Sequence, residues 1–364
     1  MKILQIIQRS QLRGAELFAC QLSDQLQKQG HQVDVLVLFG KRTAVFKFEL
    51  PFYYLEANEK KRWWDFKNYK KLSVLINSGN YDIVQANAGD TLKYASLSKK
   101  IFGWKARFVF RNANKISGFL TNRFKKILNT WLIKEIDFVA SVSEECTIDF
   151  KKTFPFLKDR TVCLPIGVDL NIPKPYNSLR EIGISVDGPF ILHVGGFMPE
   201  KNHKGLIRIF SKLLQEIPNA KLLLIGEGRL KTAIEELVSE MKLSQNVIFL
   251  GRRSDVQQIM SCCQVLVLPS LIEGLPGVIL ESFVNKLPVV AYNVGGIKEI
   301  VVDQNTGWLV PVNDEKVFFN FLKNALIIDN NSMINQAFEL VNNTYRIDSI
   351  AKKFENAYAK LILQ

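Results

Sequence analysis

A doubly wound α/β fold in two halves is predicted by three features of the sequence. Short apolar, β-branched runs alternate with amphipathic stretches, the pattern of chained parallel βαβ units. The alternation breaks once, over "GVDLNIPKPYNSLREIGISVDGP" (167–189), which has three prolines, several glycines and no sustained period, as a linker has. The length of 364 residues, 47% of them hydrophobic, suits about two domains with packed cores.

In the first half "KILQII" reads as a strand, "GAELFACQLSDQLQKQG" as a helix ending at Gly30, and "QVDVLVL" as the next strand. A parallel pair requires such a crossover. "YDIVQA", "ARFVFR", "DFVASVS" and "RTVCLPI" continue the series to about residue 167. The second half begins at "FILHVGG". "KGLIRIFSKLLQEIP" reads as a helix, "AKLLLIG" as a strand, "RLKTAIEELVSEMKL" as a helix and "NVIFLG" as a strand. "SDVQQIMSCC", with Ser254 or Asp255 as N-cap, leads into the strand "QVLVLPS". The halves are expected at 1–170 and 171–347, with the amphipathic helix "DSIAKKFENAYAKLIL" packing back on the first. In such sheets ligands sit beyond the carboxyl ends of the strands, and with two facing sheets the cleft between them is the expected site.

Charge divides unevenly. Residues 1–172 hold 28 Lys and Arg against 16 Asp and Glu, a net of +12, whereas residues 173–364 hold 20 against 19, a net of +1. The first half therefore suits an anionic partner: nucleic acid, an acidic membrane surface or a phosphorylated substrate. The apolar run between Lys2 and Arg9 is too short for a signal-peptide core or a bilayer span, so a cytosolic protein is expected. The five cysteines form no CxxC pair, and neither zinc nor structural disulfides are expected.

The most informative stretch is "LPSLIEGLPGVILESFVNKLPVVAYNVGG", where Glu273 and Glu281 bracket a Gly-Leu-Pro-Gly turn. A strand ends near Pro269, and a helix begins with Pro276 in its first turn, where a missing N–H costs nothing. The N–H groups of Gly277 and Val278 then point out of the helix end, and Gly274 and Gly277 allow close approach to the backbone. This is an anion site suited to a diphosphate. Glu281, one turn on, leans back toward the same end and can meet a hydroxyl pair; Glu273 lies on the other side. A plainer reading makes both glutamates simple complements to the helix dipole.

The segment "EGLPGVILES", followed by "PVVAYNVGGIKEIV" and "TGWLVPVND", closely resembles the donor-binding signature of family 4 glycosyltransferases, in which two glutamates stand eight positions apart. "VGGFMPEKNHKGLIRIF", "LLLIGEGRL", "FLGRRSDVQQIMSCCQVLVLPS", "RGAELFACQLSDQLQKQGHQVDVL" and "IGVDL" extend the resemblance over nearly the whole chain. It implies a GT-B fold and transfer of a sugar from a nucleotide-sugar, UDP- or GDP-linked, with retention of configuration. Carried over by position, Glu273 and Lys201 are the catalytic candidates, Lys201 at the diphosphate and Glu273 at the donor sugar. Glu281 would take the ribose, with Gly274, Leu275, Gly277, Val278, Gly196 and Arg252 completing the donor side. Gly14 and Arg13 would lie on the phosphate and acceptor side. Lys201 read alone is also an ordinary solvated loop lysine, and Gly14 an ordinary turn glycine.

The chain contains no D-x-D, so no cofactor or metal is expected, and leaving-group charge falls to Lys201, helix N-termini and backbone amides. Two departures from the family pattern stand out. Gly196 occupies the place of a usual arginine, which leaves more to Lys201, Lys204 or Arg252. After "ARFVF", where a histidine is frequent, the chain reads "RNANK", offering Arg111, Asn112 and Asn114. Amides hold hydroxyls but do not carry protons near neutral pH. His31, His193 and His203 are assigned to packing or capping.

Basic and aromatic residues interleave in "EKKRWWDFKNYKK" and "TNRFKKILNTWLIK". In the second, Phe124, Ile127, Leu128, Trp131 and Leu132 share a helical face flanked by Arg123, Lys125, Lys126 and Lys134. The preferred reading turns that face inward; the alternative docks it on an anionic membrane. The expected acceptor is a glycan, lipid-linked or other cell-surface glycoconjugate, and no nucleic-acid module is recognisable. Two other readings stand beside this one. The first is a non-catalytic sugar-nucleotide or membrane-surface binding protein on the same scaffold. The second is a dinucleotide oxidoreductase, which the absence of G-x-G-x-x-G after the first strand disfavours.

Overall fold

The structure is a computed structural model that describes residues 1–364 except 42, 44, 45, 47 and 185. Ser185, within the stretch read as the linker, therefore lies outside the described residues. The chain forms two compact units, residues 1–167 with 347–364, and residues 168–346.

The first unit runs β1 (Lys2–Ile7), α1 (Gly14–Lys28), β2 (Gln32–Val37), β3 (Phe52–Tyr54), α2 (Phe66–Gly79), β4 (Ile83–Ala86), α3 (Gly89–Phe102), β5 (Arg107–Asn112), α4 (Arg123–Ile133), β6 (Phe138–Ser141), α5 (Glu144–Thr153) and β7 (Thr161–Cys163). Its sheet has the order β3-β2-β1-β4-β5-β6-β7, and every pairing is parallel. Strands covered on both faces read as continuous apolar runs, which is why "KILQII" and "VLV" carry no in-out alternation. The strand β3 falls outside the expected series: "FYY" is three residues long and only half-buried, too short for a period to register.

The second unit runs β8 (Phe190–Val194), α6 (His203–Leu213), β9 (Lys221–Ile225), α7 (Lys231–Glu240), β10 (Val247–Gly251), α8 (Val256–Met260), β11 (Val265–Leu268), α9 (Gly277–Val284), β12 (Val289–Tyr292), β13 (Trp308–Val310), α10 (Glu315–Ile327) and α11 (Asn331–Thr344). Its parallel sheet is ordered β10-β9-β8-β11-β12-β13. The order reverses direction at β8, the switch point where ligand crevices form in open sheets. Two local expectations are corrected. Pro276 is the N-cap of α9 rather than part of its first turn. Asp255 stands at the N-cap of α8 but makes no capping bond, because Arg253 and the Tyr176 hydroxyl occupy its carboxylate.

The last helix, α12 (Ile347–Leu363), belongs to the first unit. Its buried stripe of Ile350, Ala351, Phe354, Tyr358 and Leu361 covers α1, with the Phe354 ring 5.9 Å from that of Phe18. Glu355 accepts from His31 Nε2 at 3.1 Å. Beneath it lies a polar seam in an otherwise apolar sheet. Gln85 Nε2 and Asn87 Nδ2 donate to Gln5 Oε1 at 3.1 and 2.8 Å, and the Tyr358 hydroxyl donates to Gln85 Oε1 at 2.7 Å. Tyr358→Phe would remove that donor and leave a buried amide oxygen short of a partner. The expected loss is about 1–3 kcal/mol, read in a thermal melt as a Tm lower by roughly 2–4 °C per kcal/mol; an unchanged Tm would mean that the seam carries no stability.

Candidate active site

The carboxyl ends of β8, β9, β10, β11 and β12 each lead into a loop, and these loops hold the donor-side candidates. After β8 the chain passes Gly195 and Gly196 into a tight 3-10 turn, Pro199–Lys201. The turn is terminated by Asn202 in the left-handed conformation (φ +53°), and the Asn202 side chain caps α6 by accepting from Gly205 N at 3.2 Å. Asparagine is one of the few non-glycine residues that visits this region readily. The turn presents Lys201 toward the loop that follows β11.

Lys201 Nζ lies 2.5 Å from Glu273 Oε1, across 72 residues of sequence. Glu273 is 8% exposed and Lys201 half-buried. The backbone joins the same loops: Leu271 N donates to Glu200 O at 2.7 Å, and Gly296 N donates to Gly274 O at 2.6 Å. Two glycines are obligatory here. Gly295 has φ +56°, and a Cβ on it would lie 2.0 Å from Glu273 O; Gly226 has φ +147°, and a Cβ would lie 2.0 Å from Gly195 O. The loops thus pack backbone against backbone, which holds the ion pair in place. A Cβ added at Gly196 would come within 3.3 Å of Glu227 O.

Glu281 sits in the second turn of α9, part-exposed, with burial as the cause of its displaced titration: its carboxyl is pushed up to about 7. Among the described residues no neighbouring cation counters that burial. Gly274 and Leu275 are buried, whereas Gly277 and Val278, whose N–H groups head the helix, are half-buried. Arg252 is exposed just beyond β10. A desolvated carboxylate, a helix end and an ion-paired lysine therefore stand at neighbouring loops of one sheet edge.

Two of the histidines assigned to packing do pack, and they do so beside the lysine turn. His193 and His203 are both buried, their rings 4.8 Å apart, and His203 stacks on Phe197 at 4.2 Å. Burial pulls His193 down to about 4 and His203 to about 2, so both are neutral near pH 7. They floor the Lys201 turn without adding charge or carrying protons. The clue lay in "LHV" and "KNHKG": two histidines, one in a strand and one opening a helix, flank the lysine loop.

In the first unit the candidates separate. Arg13 and Gly14 are exposed at the start of α1, and a Cβ on Gly14 would meet nothing within 4 Å. No packing in the unit requires a glycine there. Asn114 is half-buried. Asn112, offered as a hydroxyl-holding amide, is instead a buried strut: its Nδ2 donates to Ser141 Oγ at 3.2 Å, beside Cys146 O. Arg111 is buried beneath α1, its guanidinium 4.3 Å from the Phe18 ring centroid, and burial lowers it to about 10. The helix α4 also corrects an expectation. Leu132 and Ile133 are buried and Leu128 packs on the core, but Phe124, Ile127 and Trp131 are 72%, 59% and 45% exposed. The core takes the stripe one step round the helix from the one that periodicity suggested.

Residues 177–339 match the model of the glycosyl transferases group 1, and residues 12–172 match that of glycosyltransferase family 4. The chain belongs to the family 4 glycosyltransferases. Among relatives, it is 30% identical over 240 residues to a Campylobacter jejuni enzyme named N-acetylgalactosamine-N,N'-diacetylbacillosaminyl-diphospho-undecaprenol 4-alpha-N-acetylgalactosaminyltransferase, a match spanning 64% of each chain. It is 25% identical over 272 residues to the Escherichia coli UDP-Gal:alpha-D-GlcNAc-diphosphoundecaprenol alpha-1,3-galactosyltransferase, covering 71% of this chain and 70% of that one. The solved Anabaena protein HepE, in complex with UDP-glucose, superposes with a TM-score of 0.85 at 19% identity, over 99% of this chain and 100% of the other. The fold of this family 4 member is accordingly GT-B, built from two Rossmann-like units.

Glu281 generates a pH prediction. Its folded-state value of about 7 lies above its ordinary 4.5, so between those pH values the folded protein retains a proton that the unfolded chain has released. Stability is lost as pH rises through this window. Glu281→Gln should therefore stabilise the ligand-free protein at pH 8, by about 1–2 kcal/mol after discounting for partial exposure, and have no such effect at pH 4. Denaturant titrations at the two pH values measure it; equal effects at both would refute the desolvated carboxylate.

Proposed function

We propose that this protein is a retaining, metal-independent hexosyltransferase that moves a sugar from a UDP- or GDP-linked donor to a lipid-diphosphate-linked or other cell-surface glycan acceptor. The observation that carries the reading is the Lys201–Glu273 pair, held at the sheet's carboxyl edge beside Glu281, which among the described residues has no ion-pair partner. Three of its properties suit a nucleotide-sugar. Lys201 spends one of its three donors on Glu273 and has two left for diphosphate oxygens. The α9 end offers N–H groups to the same anion. Glu281 is a carboxylate short of donors, and a ribose diol supplies two. The names of the Campylobacter and Escherichia relatives, both acting on diphospho-undecaprenol-linked sugars, support the acceptor class, and the UDP-glucose bound to HepE supports the donor class.

In this mechanism the bond from the anomeric carbon to the diphosphate oxygen breaks while the acceptor oxygen bonds to the same face. The departing phosphate oxygen takes the acceptor's proton, so no protein nucleophile is required. Glu273 stabilises the positive charge that develops on the sugar, as carboxylates do in glycoside chemistry, and Lys201 stabilises the leaving diphosphate. Arg13 and Gly14 face the acceptor side.

Membrane association at the inner face belongs to the same proposal. It is supported by the exposed Phe124, Ile127 and Trp131 on α4, with Arg123, Lys125 and Lys126 beside them. Among the described residues no helix is long and apolar enough to cross a membrane.

Donor turnover with a panel of UDP-, GDP- and ADP-sugars tests the chemistry. Glu273→Ala should lower kcat by roughly 10²–10³ with nucleotide binding retained, and chelator should leave the rate unchanged. Nucleotide binding without turnover of any donor would favour the non-catalytic reading, and loss of activity with chelator would overturn the metal-free one. Phe124→Ser with Ile127→Ser should cut co-sedimentation with phosphatidylglycerol vesicles several-fold; binding indifferent to these changes and to salt would remove α4 from the membrane contact.

A further inference from the structure

A groove of about 660 Å³ opens on the first unit between α2 and the amino ends of the strands. Lys67, Lys70, Lys71, Val74, Leu75 and Ser78 line one wall, and Lys2, Tyr53 and Tyr81 the other. Its volume falls within the range of small-molecule sites.

The sequence of α2 shows why this wall is unusual. Positions 67, 70, 71, 74, 75 and 78 follow the i, i+3, i+4, i+7 spacing of a single helical face, yet the core takes the other one, through Tyr69, Leu72, Ser73 and Ile76. The outward face thus combines three lysines with Val74, which is 56% exposed. Lys67 with Lys70 and Lys67 with Lys71 are like-charge neighbours on that face, an arrangement that disfavours the helix. Among the described residues none of Lys2, Lys67, Lys70 and Lys71 has an ion-pair partner. Two carboxylates are hydrogen-bonded to lining residues instead: the Tyr81 hydroxyl donates to Asp34 at 2.6 Å, and Lys2 N donates to Asp82 at 2.7 Å. Lys2 Nζ lies 5.0 Å from the Tyr81 ring centroid, over its face. The groove therefore sets four lysines around an apolar floor of Val74, Leu75 and tyrosine rings, with the carboxylates of Asp34 and Asp82 bonded to its lining residues Tyr81 and Lys2.

We propose that this groove is a second ligand site, which takes a phosphate ester: the lysines hold the phosphate, and Val74, Leu75 and Tyr53 receive an apolar portion. It is distinct from the acceptor side. Arg13 and Gly14 follow the carboxyl end of β1, whereas Lys2 begins that strand, and six residues of strand separate the two by roughly 20 Å. A ligand in the groove is consequently not the reacting acceptor end, and the inference stands whether or not the transfer chemistry above is correct.

The phosphate can belong to a lipid headgroup or to a free phosphate compound. Isothermal titration of the full chain with dioctanoyl phosphatidic acid below its micellar concentration, and separately with inorganic phosphate, distinguishes these sources, with dioctanoyl phosphatidylcholine as the zwitterionic control. Saturable binding is expected, weakened at least tenfold in Lys67→Gln/Lys70→Gln/Lys71→Gln with no change in Tm or in UDP affinity. Val74→Trp, which fills the groove without altering charge, should weaken the lipid probe as well, whereas Phe124→Ser/Ile127→Ser should not. Binding of phosphatidic acid alone assigns a lipid headgroup; equal binding of inorganic phosphate assigns a free phosphate compound. No binding of either at millimolar concentration, or equal binding by the triple-lysine variant and wild type, would overturn the site.

Discussion

The contact between Lys201 and Glu273 is the constraint around which the second unit's functional edge is organised. A carboxylate this buried requires a partner, because an unpaired charge in low dielectric costs several kcal/mol. That partner comes from a loop 72 residues earlier, so two loops on adjacent strands must meet. The loops after β9 and β12 press on these two in turn, and that accounts for the glycines. Gly295 and Gly226 stand where a neighbouring carbonyl comes too close for any Cβ, and the hydrogen bonds from Leu271 to Glu200 and from Gly296 to Gly274 close the remaining gaps. An edge built this way is stiff, which suits the proposed electrostatic preorganisation, in which charges are placed before a ligand arrives.

The same edge shows how two glutamates eight residues apart acquire different characters. Glu273 is neutralised by a lysine, while Glu281 is desolvated with no cation to counter it and titrates near neutrality. Each environment suits its proposed partner, a developing positive charge for one and hydroxyl donors for the other. The neutral histidines beneath Lys201 fit this economy of charge, since a protonated imidazole there would repel the lysine.

Much of the fold was legible in the chain. Strands buried on both faces leave continuous apolar runs, and "KILQII", "ARFVF", "KLLLI" and "VLVL" could be located within a residue or two. The short β3 could not, because three half-buried residues have no period. The loops that carry the candidate glutamates and lysine could be located for another reason: loops at the carboxyl ends of parallel strands are local structures, in which turn residues lie within a few positions of each other.

What the sequence by itself determined is therefore everything set by neighbours along the chain: the α/β alternation, the two-unit division, the glycine-flanked start of α9 and the basic first half. Tertiary structure alone decided which groups meet and which face outward. It paired Lys201 with Glu273, turned Asn112 into a strut between β5 and β6, and buried Arg111 under α1. It also exposed the Phe124–Trp131 stripe of α4 and opened the lysine groove beside α2. The physical reason is the same in each case. Periodicity shows that a helix has an apolar face or a loop has a charge, but which of two adjacent stripes is covered, and which charge is satisfied, depends on elements tens or hundreds of residues away.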